Sequence, residues 1–148
     1  MPDNSAGNNA MKNTVMKNFI GSRAMPDLVY HSPKEMSDLL ALVDTHGTSA
    51  RVVAGCTDFI PSIRTGRWCF DQELNLIDIS KMPVLNQIEK TDDVLKIGAG
   101  VSLTRILESP EVKIHCPVLA QAVEQMASLQ VRNTATMGGN ICMASPAA

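Results

Sequence analysis

Aromatic side chains are scarce in this 148-residue chain: it has one Trp, one Tyr and three Phe. Aliphatic and methionine packing therefore has to fill its core. No two of the four cysteines, Cys56, Cys69, Cys116 and Cys142, stand closer than 13 residues. C-x-x-C pairs are missing and no histidine falls at metal-ligand spacing, which argues against zinc and iron-sulfur sites within the chain. A charge excess is missing as well. The formal net charge is −2, so a bulk-charge grip on nucleic acid or anionic lipid is not expected, and the partner is a small molecule or another protein. No run approaches the ~20 apolar residues that a membrane-spanning helix needs. The Asn-rich start lacks the apolar segment of a secretory signal, and the expectation is a cytoplasmic protein with free thiols. What is present, 45% hydrophobic and 19% charged residues, is the profile of an ordinary globular domain.

Residues 1–27 carry no lasting helical or strand period and read as a flexible leader. Ser32-Pro33-Lys34-Glu35 then predicts a helix start, with Ser as cap, Pro in the first turn and Glu reaching back to the cap amide. Met36, Leu39, Leu40 and Val43 would form its apolar face, and Gly47 would end it. Ala50 to Ala54 reads as a strand, Gly55 as a sharp turn, and Asp58 as the start of a second helix. Leu74 to Ile79 is another strand. Gln87–Glu89 and Val94–Gly98 flank Thr91-Asp92-Asp93 as a hairpin. Ser102 caps a short helix that stops before Pro110, and Pro117 opens another. The order predicts a mixed α+β fold, with a boundary near Lys81-Met82-Pro83.

Two segments place small residues and hydroxyls where the backbone must bend. One is Val52-Val53-Ala54-Gly55-Cys56-Thr57-Asp58-Phe59, and the other is Thr134-Ala135-Thr136-Met137-Gly138-Gly139-Asn140-Ile141. A diphosphate needs several amide N–H groups converging on it, and glycine removes the side chain that would block their approach. Facing one another, the two bends would clamp such a group; the alternative is two ordinary surface turns. Other nucleotide signatures fail. Gly98-Ala99-Gly100 lacks the third glycine of the dinucleotide fingerprint, whose place is taken by Leu103, and there is no Gly-Lys-Ser/Thr phosphate loop. Among the remaining candidates, Cys56 reads as a small turn residue, Cys142 as a buried structural thiol, and Asp58 as a helix-start carboxylate. His31, His46 and His115 read as solvated or capping residues, Trp68 and Phe70 as core, and Arg132 equally as a phosphate contact or a salt bridge.

Ser128 to Ile141 with the tail Ala144-Ser145-Pro146-Ala147-Ala148, together with Ala54-Gly55-Cys56-Thr57-Asp58, Leu76 to Ser80 and Ile97 to Val101, closely resembles the FAD-binding subunit of molybdenum hydroxylases. That family includes xanthine dehydrogenase, carbon monoxide dehydrogenase and hydroxybenzoyl-CoA reductase, and the resemblance covers Leu28 to Ala148. It implies a PCMH or vanillyl-alcohol-oxidase-type α+β fold, with a small FAD-binding subdomain over 28–82 and an incomplete second one over 83–148. It also implies that the amides of Val53–Phe59 and Thr136–Asn140 cradle the FAD diphosphate. The activity implied is an electron relay. Electrons from a molybdenum-cofactor subunit would pass through iron-sulfur clusters of a partner subunit to FAD, then to NAD or another acceptor. No catalytic side chain is expected, because the redox chemistry belongs to the flavin. Cys56 stands where many relatives carry a second Gly, and Met126 where xanthine dehydrogenase-like relatives place an aromatic. The resemblance further implies a chain truncated ahead of an acidic residue that relatives carry next. Two other readings are a non-catalytic remnant that scaffolds partners without flavin, and a stand-alone flavin oxidase, although the first motif lacks the His that attaches flavin in some of those.

Overall fold

The computed structural model describes residues 25–70 and 72–145; most of the expected leader and the last three residues lie outside them. Strands β1 (Leu28–His31), β2 (Ala50–Val53) and β3 (Leu74–Asp78) form a parallel sheet in the order β1-β3-β2, with Leu28 opposite Leu74 and Val53 opposite Asp78. Central β3 is covered on both faces, and Leu74 and Ile77 are fully buried. Its sequence is accordingly an apolar run rather than an alternation. β1 was absent from the sequence reading, since it is held by pairing to a strand far along the chain.

Helix α1 (Met36–His46) starts later than Ser32-Pro33 predicts. Glu35, extended and without a side-chain cap bond, is its N-cap residue. The buried face is Leu39 with Leu42 and Val43, while Met36 and Leu40 are exposed. Gly47, at φ 48°, closes the helix by donating its N–H to the Val43 carbonyl. Leu39, Ile77, Ile79 and Met82 make the first core. After β2 the chain bends at Gly55 into α2 (Phe59–Arg64).

A 3-10 turn at Pro83–Leu85 leads to the antiparallel hairpin β4 (Ile88–Thr91) and β5 (Val94–Ile97), joined by Asp92-Asp93. Helices α3 (Leu103–Glu108), α4 (Pro110–His115), α5 (Pro117–Gln125), α6 (Leu129–Thr134) and α7 (Met137–Met143) follow. The hydroxyls of Ser102, Ser109, Ser128 and Thr136 cap α3, α4, α6 and α7, each accepting an amide 3.2–3.4 Å away. α4, α6 and α7 were not foreseen: Pro110 opens a helix as well as ending one. Val101, Leu103, Ile106, Val112, Ala120 and Val123 form the second core beneath the hairpin, with Ile88, Leu95 and Ile97 packed against them. Among the described residues no helix is long and apolar enough to cross a membrane.

Candidate functional site

The two bends read from the sequence meet. A Cβ added to Gly55 would lie 1.9 Å from the Thr134 carbonyl oxygen and 3.0 Å from Ala135 Cα. The backbone after β2 therefore rests directly on the backbone before α7, and glycine is needed there for space. Cys56, the next residue, sits in the left-handed region at φ 55°, which aims successive amides away from one another's carbonyls. Among the described residues the amides of Ala54, Gly55, Cys56, Thr57, Asp58 and Phe59 donate no hydrogen bond; the first that does is that of Ile60, to the Cys56 carbonyl at 3.4 Å. A run of unspent N–H groups around a left-handed residue is an anion-binding concavity.

The second segment is different. It is the start of α7, not a glycine turn, and the amides of Met137 to Asn140 are spent inside the protein, while that of Thr136 donates no hydrogen bond among the described residues. Met137 N–H donates to Val101 O at 3.0 Å, Gly138 to Ala99 O at 2.9 Å, Gly139 to Thr136 Oγ1 at 3.2 Å and Asn140 to Thr136 O at 3.0 Å. Of the amides expected to cradle a diphosphate from this side, only that of Thr136 is left over, because the bridge between Ser102 and Thr136, the Ala99 carbonyl and the helix start claim the others. Gly138 packs on Ala99, where an added Cβ would come within 2.8 Å of the carbonyl oxygen. Met137 turns into the second core.

Between the bends lies a cleft of about 240 Å³, lined by Val53, Ala54, Gly55, Cys56, Thr57, Asp58 and Phe59 on one side and Thr136, Gly139 and Asn140 on the other. Met137 and Gly138 do not line it. Val52 and Ala135, which belong to the two bends, do, and so do Trp68, Cys142 and Met143, unforeseen from the sequence. Cys142 and Met143 follow Gly139 at helical spacing, so recognising α7 would have found them. Cys142 is exposed rather than buried. Beyond Thr57, Asp58, Ala135, Asn140 and Met143 the cleft continues into a second hollow of about 340 Å³, which takes in Gln125 and Met126.

Burial, reinforced by the Asp78 carboxylate, pushes the Cys56 thiol above its ordinary value, so it stays neutral beside the unspent amides. Asp78 itself is engaged, with one oxygen accepting the Tyr30 hydroxyl and the other the Ser80 amide. Asp58 occupies the N-cap position of α2 but makes no cap bond, because its backbone is already helical (φ −108°, ψ −37°). Arg132 Nη1 donates to the carbonyls of Glu124, Met126 and Ala127. It ties the end of α5 to α6, a role that neither a phosphate contact nor a salt bridge describes. His31 is half-buried, bonded to Asn75 Oδ1 at 2.9 Å, with its ring 5.0 Å from that of His46 at a tilt of 36°. Trp68 lies half-buried at the cleft margin and Phe70 half-buried in an adjoining hollow, both outside the two cores.

Residues 22–148 match the family described as the FAD-binding domain in molybdopterin dehydrogenase. The chain belongs to this family. The FAD-binding domain is 34% identical over 121 residues to the carbon monoxide dehydrogenase medium chain of Hydrogenophaga pseudoflava, covering 82% of this chain and 41% of that one. It is 31% identical over 114 residues to the xanthine dehydrogenase FAD-binding subunit of Escherichia coli O157:H7, covering 76% and 38%. The solved carbon monoxide dehydrogenase of Hydrogenophaga pseudoflava superposes with a TM-score of 0.73 at 33% identity, over 79% of this chain and 40% of the other. The fold is thus the α+β FAD-binding type that the sequence motifs imply. The chain spans about two fifths of the length of these relatives.

Proposed function

We propose that the domain holds the FAD diphosphate on the amides of Ala54 to Phe59, with Thr136, Gly139 and Asn140 forming the opposite wall, as part of a molybdenum-dependent dehydrogenase. The observation that carries this reading is the run of six amides that donate no hydrogen bond among the described residues and border an open cleft. Unspent backbone donors are destabilising unless water or a ligand accepts from them, and an anion gains charge-assisted bonds there. The Gly139 position is tight against the cap of α7: an added Cβ would come 3.1 Å from Thr136 Oγ1, so glycine keeps both the cap and the wall of the cleft in place. Thr136 Oγ1 accepts the Gly139 amide, which leaves the hydroxyl proton for donation toward the cleft. The neutral Cys56 thiol adds no negative charge next to a diphosphate.

Bound FAD supplies hydride and single-electron transfer; the chain supplies binding, orientation and exclusion of water. In the complex proposed, an iron-sulfur subunit delivers electrons that began on a molybdenum-cofactor subunit, and NAD or another acceptor takes them away. Purified protein titrated with FAD by calorimetry tests the reading. Saturable binding of one FAD, weakened by pyrophosphate, supports it. Absence of binding together with continued association with iron-sulfur and molybdenum subunits would replace it with a scaffold role.

A further inference from the structure

Trp68 is the chain's only tryptophan, and its position is built rather than incidental. Its backbone N–H donates to Ser62 O at 3.1 Å, which folds the segment after Gly66 back onto α2. Its ring meets Phe59 edge-on at 5.7 Å, Phe59 lies 6.3 Å from Phe70, and the Arg51 guanidinium sits 5.0 Å over the Phe70 ring. Arg51 is fixed in turn by bonds of 2.7 Å to the carbonyls of Thr48 and Ala50. Three of the five aromatic residues of an aromatic-poor chain are thus gathered at one place, and they fill neither core. Phe59 and Trp68 line both the diphosphate cleft and an adjoining open hollow, of about 460 Å³, that also takes in Arg51 and Arg67. The indole N–H has no hydrogen-bond partner among the described residues, whereas a Trp used purely for packing usually satisfies it.

We infer that Trp68 is the base-stacking shelf for the adenine half of the dinucleotide, with Phe59 holding the indole, Phe70 backing Phe59 and Arg51 steadying Phe70. This rests on the reading that the diphosphate lies on the Ala54–Phe59 amides. A planar base presents a π-face of the size the indole offers, and the shelf adjoins the amides, so base and diphosphate engage together. Trp68 is therefore a positioning and specificity residue for the ADP moiety, and the flavin ring goes to the opposite, Met126 end of the cleft.

The single Trp makes the test direct. ADP, which carries no flavin, is titrated into the full chain while Trp68 emission is followed, and affinities for ADP and inorganic pyrophosphate are measured for the parent, Trp68→Phe and Trp68→Ala. The expected result is a saturable change in emission on adding ADP. Trp68→Ala weakens ADP about tenfold, equivalent to about 1.4 kcal/mol, Trp68→Phe stays within about threefold as a retained stacking face requires, and pyrophosphate affinity is equal in all three. Unchanged ADP affinity in Trp68→Ala overturns the shelf while leaving the diphosphate site standing. Parallel loss of pyrophosphate binding in Trp68→Ala also overturns it, since the residue then only supports the loop. Failure of the parent to bind either FAD or pyrophosphate overturns the diphosphate reading and the shelf with it.

Discussion

Gly55→Ala is the sharpest perturbation of the junction between the bends. The added Cβ would lie 1.9 Å from Thr134 O and 2.6 Å from Thr134 C, both backbone atoms that cannot swing aside. Restoring ordinary contact requires the two segments to part by roughly 1.5 Å, an overpacking that costs about 1–3 kcal/mol. Gly55 does not need a left-handed backbone, so the expected effect is steric alone. Gly47→Ala is the matched control. It has φ 48° and ψ −120° with nothing within 4 Å of an added Cβ, so alanine there carries backbone strain of about 1–3 kcal/mol and no displacement of a neighbour. Scanning calorimetry should show Gly55→Ala lowered by about 4–12 °C, at about 4 °C per kcal/mol, with FAD affinity reduced at least tenfold because the amides move with the backbone. Gly47→Ala should lose a comparable amount, roughly 4–12 °C, and keep its FAD affinity. Parental melting and affinity in Gly55→Ala would refute the close approach.

The two glycines of α7 should separate. Gly138→Ala meets the Ala99 backbone, lowers the urea midpoint by the equivalent of about 1–3 kcal/mol and retains FAD, whereas Gly139→Val presses on the Thr136 cap, costs about 0.5–2 kcal/mol and loses FAD; equal FAD affinity in both would remove the distinction. Ile106→Ala empties a fully buried site of the second core and should cost about 2–5 kcal/mol with the urea m-value unchanged. Burial raises the Cys56 thiol, and the hydrogen bond to Asp78 raises the Tyr30 phenol, so the unfolded chain loses these protons first as pH rises. Their contribution to stability is complete below the ordinary thiol value of 9.0 and is lost through the raised folded values; urea midpoints at rising alkaline pH should fall, and less steeply for Tyr30→Phe. In the native protein Cys142, which is exposed, should be alkylated near neutral pH, and Cys56 only under more alkaline conditions; faster alkylation of Cys56 would contradict its neutral, sheltered state.

Local chemistry made part of this molecule legible. The strand Ala50–Val53, the bend at Gly55 and the hairpin around Asp92-Asp93 each follow from a few adjacent residues, and the Ser102 cap was placed correctly for the same reason. Features decided at long range were hidden. β1 exists because Leu28–His31 pair with β3, and Ser32-Pro33 offered a more attractive helix start than the one used. Gly138 and Gly139 read as a turn, yet the first is small so that α7 can pack on Ala99 and the second opens a wall of the cleft. Whether an amide is free or spent depends on carbonyls at Ala99 and Val101, about 40 residues earlier. Sequence spacing therefore located both walls of the cleft without revealing that the first keeps six amides to spare and the second only that of Thr136. Trp68 looked like core because nothing local distinguishes a packed indole from one held at a rim.

Residue-resolved amide exchange by NMR on the full chain, with and without FAD, examines the central claim most directly. FAD should slow exchange at Ala54 through Phe59, whose amides gain acceptors, and should leave Met137 through Asn140 nearly unchanged, because those amides already donate within the protein. Slowing confined to Met137–Asn140, or none at Ala54–Phe59 under saturating FAD, would contradict it.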